Sequence, residues 1–133
     1  GQYGMVVPRF VQMALNNEPI LICGTGKQTR CFCYVGDLVE AVIKLMNCEH
    51  AAGRVYNIGS NEEISIEKLA DKIIKMTGSK SQKQFVPYEF VYGRPIDDMM
   101  RRVPALERIK ETIGWESKTP LDEILQVITD NLK

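Results

Sequence analysis

No stretch of this sequence is long and apolar enough to cross a bilayer. Its wholly apolar runs, such as Ile20-Leu-Ile-Cys23, fall far short of the roughly 20 residues a spanning helix needs. The N-terminus shows no charged-then-apolar leader pattern, so a cytoplasmic protein is expected. Excess charge is absent too. Seventeen basic residues balance seventeen acidic ones, which removes the field that general binding to nucleic acid or an anionic membrane surface requires. Histidine occurs once, at His50, and the four cysteines, Cys23, Cys31, Cys33 and Cys48, lack C-x-x-C spacing, so no metal site is expected. Cys31 and Cys33 fall on one face of an expected strand and read as reduced, buried apolar residues, with redox chemistry the alternative. No internal repeat or low-complexity tract appears, which excludes solenoids and disordered tails.

What is present is ordinary globular material. With 44% hydrophobic and 26% charged residues, the 133-residue chain can fold as one domain burying roughly two thirds of its unfolded surface. Short β-rich runs alternate with amphipathic segments, so the expected class is α/β. Pro8 to Asn17 reads as a helix with proline in its first turn. Ile20–Cys23 and Thr29–Tyr34 read as strands on either side of a glycine-bearing link. Gly36–Met46 reads as a helix that is apolar over most of its circumference and therefore buried.

Arg54–Ile58 reads as a strand. A helix capped by Ser65 follows, carrying Ile66, Leu69, Ala70, Ile73 and Ile74 and stopped by Gly78. Gln84–Pro87 adds a short strand, Tyr88–Val103 a long irregular segment, and Pro104–Ile113 a helix ended by Gly114. In Thr119-Pro-Leu-Asp122 a capping threonine and an N1 proline open the last helix, whose buried stripe is Leu121, Ile124, Leu125, Ile128 and Leu132.

The chemistry concentrates on arginines. Arg30 opens a strand just after the turn Gly24-Thr-Gly26. An arginine fork so held offers fixed charge and two parallel donors to phosphate oxygens, although a surface salt bridge would also explain it. Arg101-Arg102 leaves the long segment just before Pro104, with Arg94 a weaker candidate. Asp37 reads as a charge at a helix start. The sequence pattern suggests no partner for the acids Glu62, Glu63, Asp97 and Asp98, which read as solvated, and Trp115 reads as a packing residue.

The run from Gly24 to Leu38 resembles the G-x-G-x-x-x-R-x-x-x-Y-V-x-D-L signature of the extended short-chain dehydrogenase/reductase family. That family includes nucleotide-sugar epimerases, 4,6-dehydratases and UDP-glucuronate decarboxylases. The resemblance implies that Arg30 binds the diphosphate of a nucleotide sugar, and a UDP-sugar is the expected one. Arg102 fills the arginine slot of the family's R-x-P-D-I segment, with Ala105 where aspartate is usual, and Arg101 is a partner or a solvated neighbour. Val7-Pro8-Arg9-Phe10 and Leu21-Ile22-Cys23 resemble segments lining the nucleobase and ribose, which makes Arg9, Phe10, Leu21 and Ile22 site candidates. Cys23 departs there from the usual tyrosine or phenylalanine. Asn57, in Tyr-Asn-Ile-Gly59, either faces the ligand, bonds neighbouring loops, or simply forms a turn. The Gln28-Thr-Arg30 segment leans toward the decarboxylase branch.

Two parts of such an enzyme are not found in these residues. None of the five tyrosines is followed four residues on by lysine, as the family's catalytic Tyr-x-x-x-Lys pair requires. No G-x-G-x-x-G leads from a strand into a helix. The expectation is therefore a small C-terminal substrate-binding domain spanning 1–133, with short strands and about five helices, the N-terminal Rossmann part being absent. Such a domain has no catalytic residue of its own, binds no NAD by itself and is inactive alone. It serves an NAD-dependent parent whose Rossmann part is its partner. Two alternatives remain open: a stand-alone interaction module, and a regulatory relative that binds NADPH. A monomer, or association through exposed inter-domain surface, is expected.

Overall fold

The structure, a computed structural model, describes residues 6–133. Among them are six α-helices and four short strands, the first two strands consecutive and the last three helices following one another. Their contacts fall into two compact units, the first formed by residues up to Thr29, Ile64–Arg101 and Leu125–Lys133, the second by Arg30–Glu63 and Arg102–Ile124.

In the first unit, β1 (Ile20–Cys23) pairs in parallel with β4 (Lys83–Val86), Ile20 opposite Lys83 and Cys23 opposite Val86. Helix α1 (Val6–Leu15) turns Val7, Phe10, Val11 and Ala14 inward at helical spacing. It packs on β1 and on α3 (Ile66–Thr77), which itself reaches β1. The Ser65 hydroxyl accepts from the Lys68 amide at 3.2 Å, and Gly78 ends α3 with φ of 62°, as the capping pattern implies. Phe10, Val11, Ile20, Ile22, Leu69 and Ile73 are fully buried and make the core. Burying each such side chain contributes about 1.5 to 3 kcal/mol. Part of the segment read as irregular is helical: α4 (Tyr88–Tyr92) contacts β1.

The second unit has a smaller core, in which Ala41, Ile109 and Trp115 meet Leu45, Tyr56, Ile58 and Leu106. Helix α2 (Val35–Met46) is not the buried helix its composition suggests. Only Asp37 and Ala41 are buried, while Val39, Val42, Ile43 and Met46 are exposed. Ala41 lets α2 approach the cluster on one narrow face, and nothing in the unit covers the other. Arg54–Ile58 is not a strand, because among the described residues no strand lies alongside to complete its hydrogen bonds.

The β2 strand (Thr29–Cys31) is shorter than expected and pairs with β3 (Glu63–Ser65). Cys31 and Cys33 are partly exposed rather than buried, and none of the four cysteines is in a disulfide. Helix α5 (Glu107–Ile113) starts three residues later than Pro104 and ends at Gly114 with φ of 65°. Helix α6 (Leu121–Leu132) keeps Leu121, Ile124 and Leu125 buried, but Leu132 is exposed.

Candidate functional site

The site is built from turns that the local sequence fixes. Gly24 and Gly26 both have positive φ, 68° and 72°, and reverse the chain between β1 and β2. A side chain at Gly26 would also meet Ile22, Glu67 and Phe85 at 3.0–3.1 Å, so the turn lies flat on its own unit. This G-x-G joins strand to strand and opens no helix, so it is not a dinucleotide cradle.

Gln28 and Thr29 hold the turn to the long segment after β4. The Gln28 side chain is buried and donates to the Cys23 carbonyl at 2.9 Å and to the Tyr88 hydroxyl at 3.3 Å. That hydroxyl donates in turn to Asp98 at 2.7 Å. Further along, the Thr29 amide donates to the Met100 carbonyl at 2.7 Å, and Thr29 and Arg101 form an isolated parallel bridge. The reading of Asp98 as a solvated acid is thereby corrected. The links from Gln28 to Tyr88 and from Thr29 to Met100 carry no sequence signal, since their partners lie far apart in the chain.

Arg30 and Arg102 each follow one member of that bridge by a single residue. Both belong to the second unit; Arg30 is partly exposed and Arg102 exposed. Arg101 is tied through its backbone to Thr29. Asn57 is exposed and its amide donates to the Ala105 carbonyl at 3.4 Å, so it bonds the loop that leaves Arg102. The same loop rests on Gly59, where a Cβ would come within 3.1 Å of Pro104 Cγ.

Arg9 is committed within the first unit. Its guanidinium donates to the Leu21 carbonyl at 3.0 Å and lies 5.1 Å from the Phe10 ring centroid. Phe10 and Ile22 are fully buried, so any ligand contact from these two positions runs through backbone. Burial pushes the Cys23 thiol above its ordinary value, an effect that Arg9 beside it only partly offsets.

Two carboxylates, Asp37, read as a charge at a helix start, and Glu62, read as solvated, bond backbone amides within the second unit. Asp37 is buried and accepts from the Thr119 amide at 2.9 Å and the Lys118 amide at 3.0 Å. Burial alone would raise its pKa, but these donated bonds and the Thr119 hydroxyl more than offset that and hold it below the ordinary carboxylate value. The Asp37 carbonyl accepts from the Trp115 indole at 3.1 Å, which accounts for the packing role of that tryptophan. Glu62 accepts from the Leu121 amide at 3.0 Å and so serves the first turn of α6, while the Thr119 side chain bonds Asp37. A cavity of about 520 Å³ in this unit is lined by Asn61, Pro104, Leu106, Lys110, Trp115 and neighbours, and by none of the arginines. Its one cation, Lys110, is paired with Glu116 at 2.6 Å, so the candidate site is placed on the arginine turns instead.

Residues 3–128 match the family described as GDP-mannose 4,6 dehydratase. The chain belongs to the extended short-chain dehydrogenase/reductase family of NAD-dependent nucleotide-sugar epimerases and dehydratases. It is 41% identical over 122 residues to a UDP-N-acetyl-alpha-D-glucosaminuronate decarboxylase of Bacillus cytotoxicus, covering 87% of this chain and 38% of that one. To UDP-glucuronic acid decarboxylase 1 of Danio rerio it is 38% identical, covering 90% of this chain and 27% of the other.

Among solved structures, Thermotoga maritima UDP-glucose 4-epimerase with UDP-glucose superposes with a TM-score of 0.84 at 27% identity, over 98% of this chain and 40% of that one. A Bacillus cereus UDP-glucuronic acid 4-epimerase, solved with UDP-glucuronic acid and NAD, shares the fold with a TM-score of 0.83 at 24% identity, over 96% and 39% of the two chains. The chain thus spans well under half the length of these relatives and corresponds to the C-terminal part of such epimerases. Six helices stand where about five were expected. No helix among the described residues is long and apolar enough to cross a membrane.

Proposed function

We propose that residues 1–133 are the substrate-binding part of an NAD-dependent nucleotide-sugar decarboxylase or epimerase, and that Arg30 and Arg102 clamp the diphosphate of a UDP-sugar. The observation that supports this most is the parallel bridge between Thr29 and Arg101, which runs the two chain segments side by side immediately before the two arginines. Two guanidinium groups on one pyrophosphate would each contribute charge-assisted hydrogen bonds of about 1.5 to 3 kcal/mol. In the parent enzyme such a clamp converts binding energy into orientation of the sugar toward the reacting centre.

NAD does not fit the residues present, because the glycine turn joins two strands and opens no helix. NAD therefore belongs to the remaining part of the parent. The chain alone binds nucleotide diphosphate and transfers no hydride. Calorimetric titration of the chain with UDP and with uridine tests the reading. UDP should bind, Arg30→Ala and Arg102→Ala should each weaken it by about tenfold to a hundredfold, and uridine should be little affected by either change. Unchanged UDP affinity in both variants would remove the clamp.

A further inference from the structure

The cavity of about 520 Å³ in the second unit plays no part in the nucleotide clamp, yet its size is that of a small-molecule site. Val103, Pro104, Leu106 and Trp115 give it an apolar wall. Trp115 is buried and its indole N–H is taken by the Asp37 carbonyl, so the ring offers the cavity only apolar surface.

The polar lining is unevenly charged. Glu107 and Glu116 stand against one cation, Lys110, which leaves one net negative charge. Lys110 and Glu116, both largely exposed, neutralise each other at 2.6 Å. Glu107 has no ion pair among the described residues, and the side chains of Asn61 and Ser117 make no hydrogen bond with any of them. An apolar wall, two neutral hydrogen-bonding groups and one unpaired carboxylate are complementary to an ammonium ion carried on an apolar body. The same charge disfavours phosphates and carboxylates, so the cavity is no second nucleotide site.

The cavity wall also continues the clamp. Val103 and Pro104 directly follow Arg102, and residues 102–106 have no regular secondary structure. Asn57 bonds the Ala105 carbonyl at 3.4 Å, and Pro104 approaches Gly59 closely. A molecule lodged against Val103, Pro104 and Leu106 adds contacts to this segment and restricts the arginine at its end.

We infer that this cavity binds a small organic ammonium ion with an apolar body, and that the bound ion steadies the segment carrying Arg102. Its effect on nucleotide affinity rests on the reading of Arg102 as a clamp residue; the binding site itself does not.

The probe is phenethylammonium, titrated by NMR into the native chain at neutral pH beside neutral 2-phenylethanol and anionic 3-phenylpropanoate. The ammonium should bind with a Kd of about 1 mM. The alcohol should bind about threefold and the carboxylate about tenfold more weakly. Glu107→Gln should weaken the ammonium about threefold, whereas Lys110→Gln frees Glu116 and should tighten it about twofold. Both positions are exposed, and the comparison of the three probes needs no substitution at all. At saturation, amide hydrogen exchange at Val103, Ala105 and Leu106 should slow about fivefold. UDP should then bind about fivefold more tightly. Arg30→Ala should lose UDP affinity and still take the ammonium as the native chain does, so failure of the clamp is distinguishable from failure of this site. Equal binding of the three probes, an ammonium affinity indifferent to both substitutions, or exchange unchanged at saturation overturns the inference.

Discussion

Thr29 and Arg101 lie opposite each other in a parallel bridge, with the Thr29 amide 2.7 Å from the carbonyl of Met100. The bridge fixes a turn and a long segment, distant in sequence, at the point where each delivers an arginine. Its anchoring groups, Gln28, Tyr88 and Asp98, are therefore as open to test as the arginines themselves.

Tyr88→Phe keeps the ring against Gly24 but removes the donor to Asp98 and the acceptor for Gln28. The variant should lose about 1 to 3 kcal/mol in urea unfolding, because a charge-assisted bond goes and Gln28 loses a partner. An unchanged denaturation midpoint would show that this link bears no stability.

Asp37→Asn deprives two backbone amides of a charged acceptor and should cost roughly 1.5 to 3 kcal/mol. The sign of the pH effect follows from the lowered pKa. The folded state binds the proton less readily than the unfolded chain, so the stabilisation is fully present above the ordinary value of 3.8 and is lost as pH falls below it. Thermal melts between pH 7 and pH 2 should show an acid-labile component in the native chain that is missing from the variant. Parallel curves for the two proteins would contradict it.

Gly59→Ala places a methyl 3.1 Å from Pro104 in a buried position. The clash should cost about 1 to 3 kcal/mol, read as a fall in Tm, and should weaken UDP binding because Pro104 directs the loop that leaves Arg102. Normal Tm and normal UDP affinity would show that Pro104 gives way freely.

Several elements could be read from the residues alone because their determinants are local. Ser65 and Gly78 bracket α3, and the spacing of Val7, Phe10, Val11 and Ala14 marks α1. The motif around Arg30 was legible for the same reason. What escaped is non-local. Counting apolar residues on α2 cannot say whether anything covers them, and the alternation of Arg54–Ile58 cannot supply the neighbour a strand needs. Glu62 read as a solvated acid and Asp37 as no more than a charge at a helix start because their amide partners lie 59, 81 and 82 residues away. The Tyr88 link to Gln28 spans 60 residues and leaves no local trace either.

The central claim is that Arg30 and Arg102 act on one pyrophosphate, and a double-mutant cycle measured by UDP titration tests it most directly. If both guanidinium groups share the ligand, the double variant Arg30→Ala with Arg102→Ala should lose less affinity than the two single losses summed, with a coupling of about 0.5 to 3 kcal/mol. Strictly additive losses, or UDP binding untouched by either substitution, would contradict it.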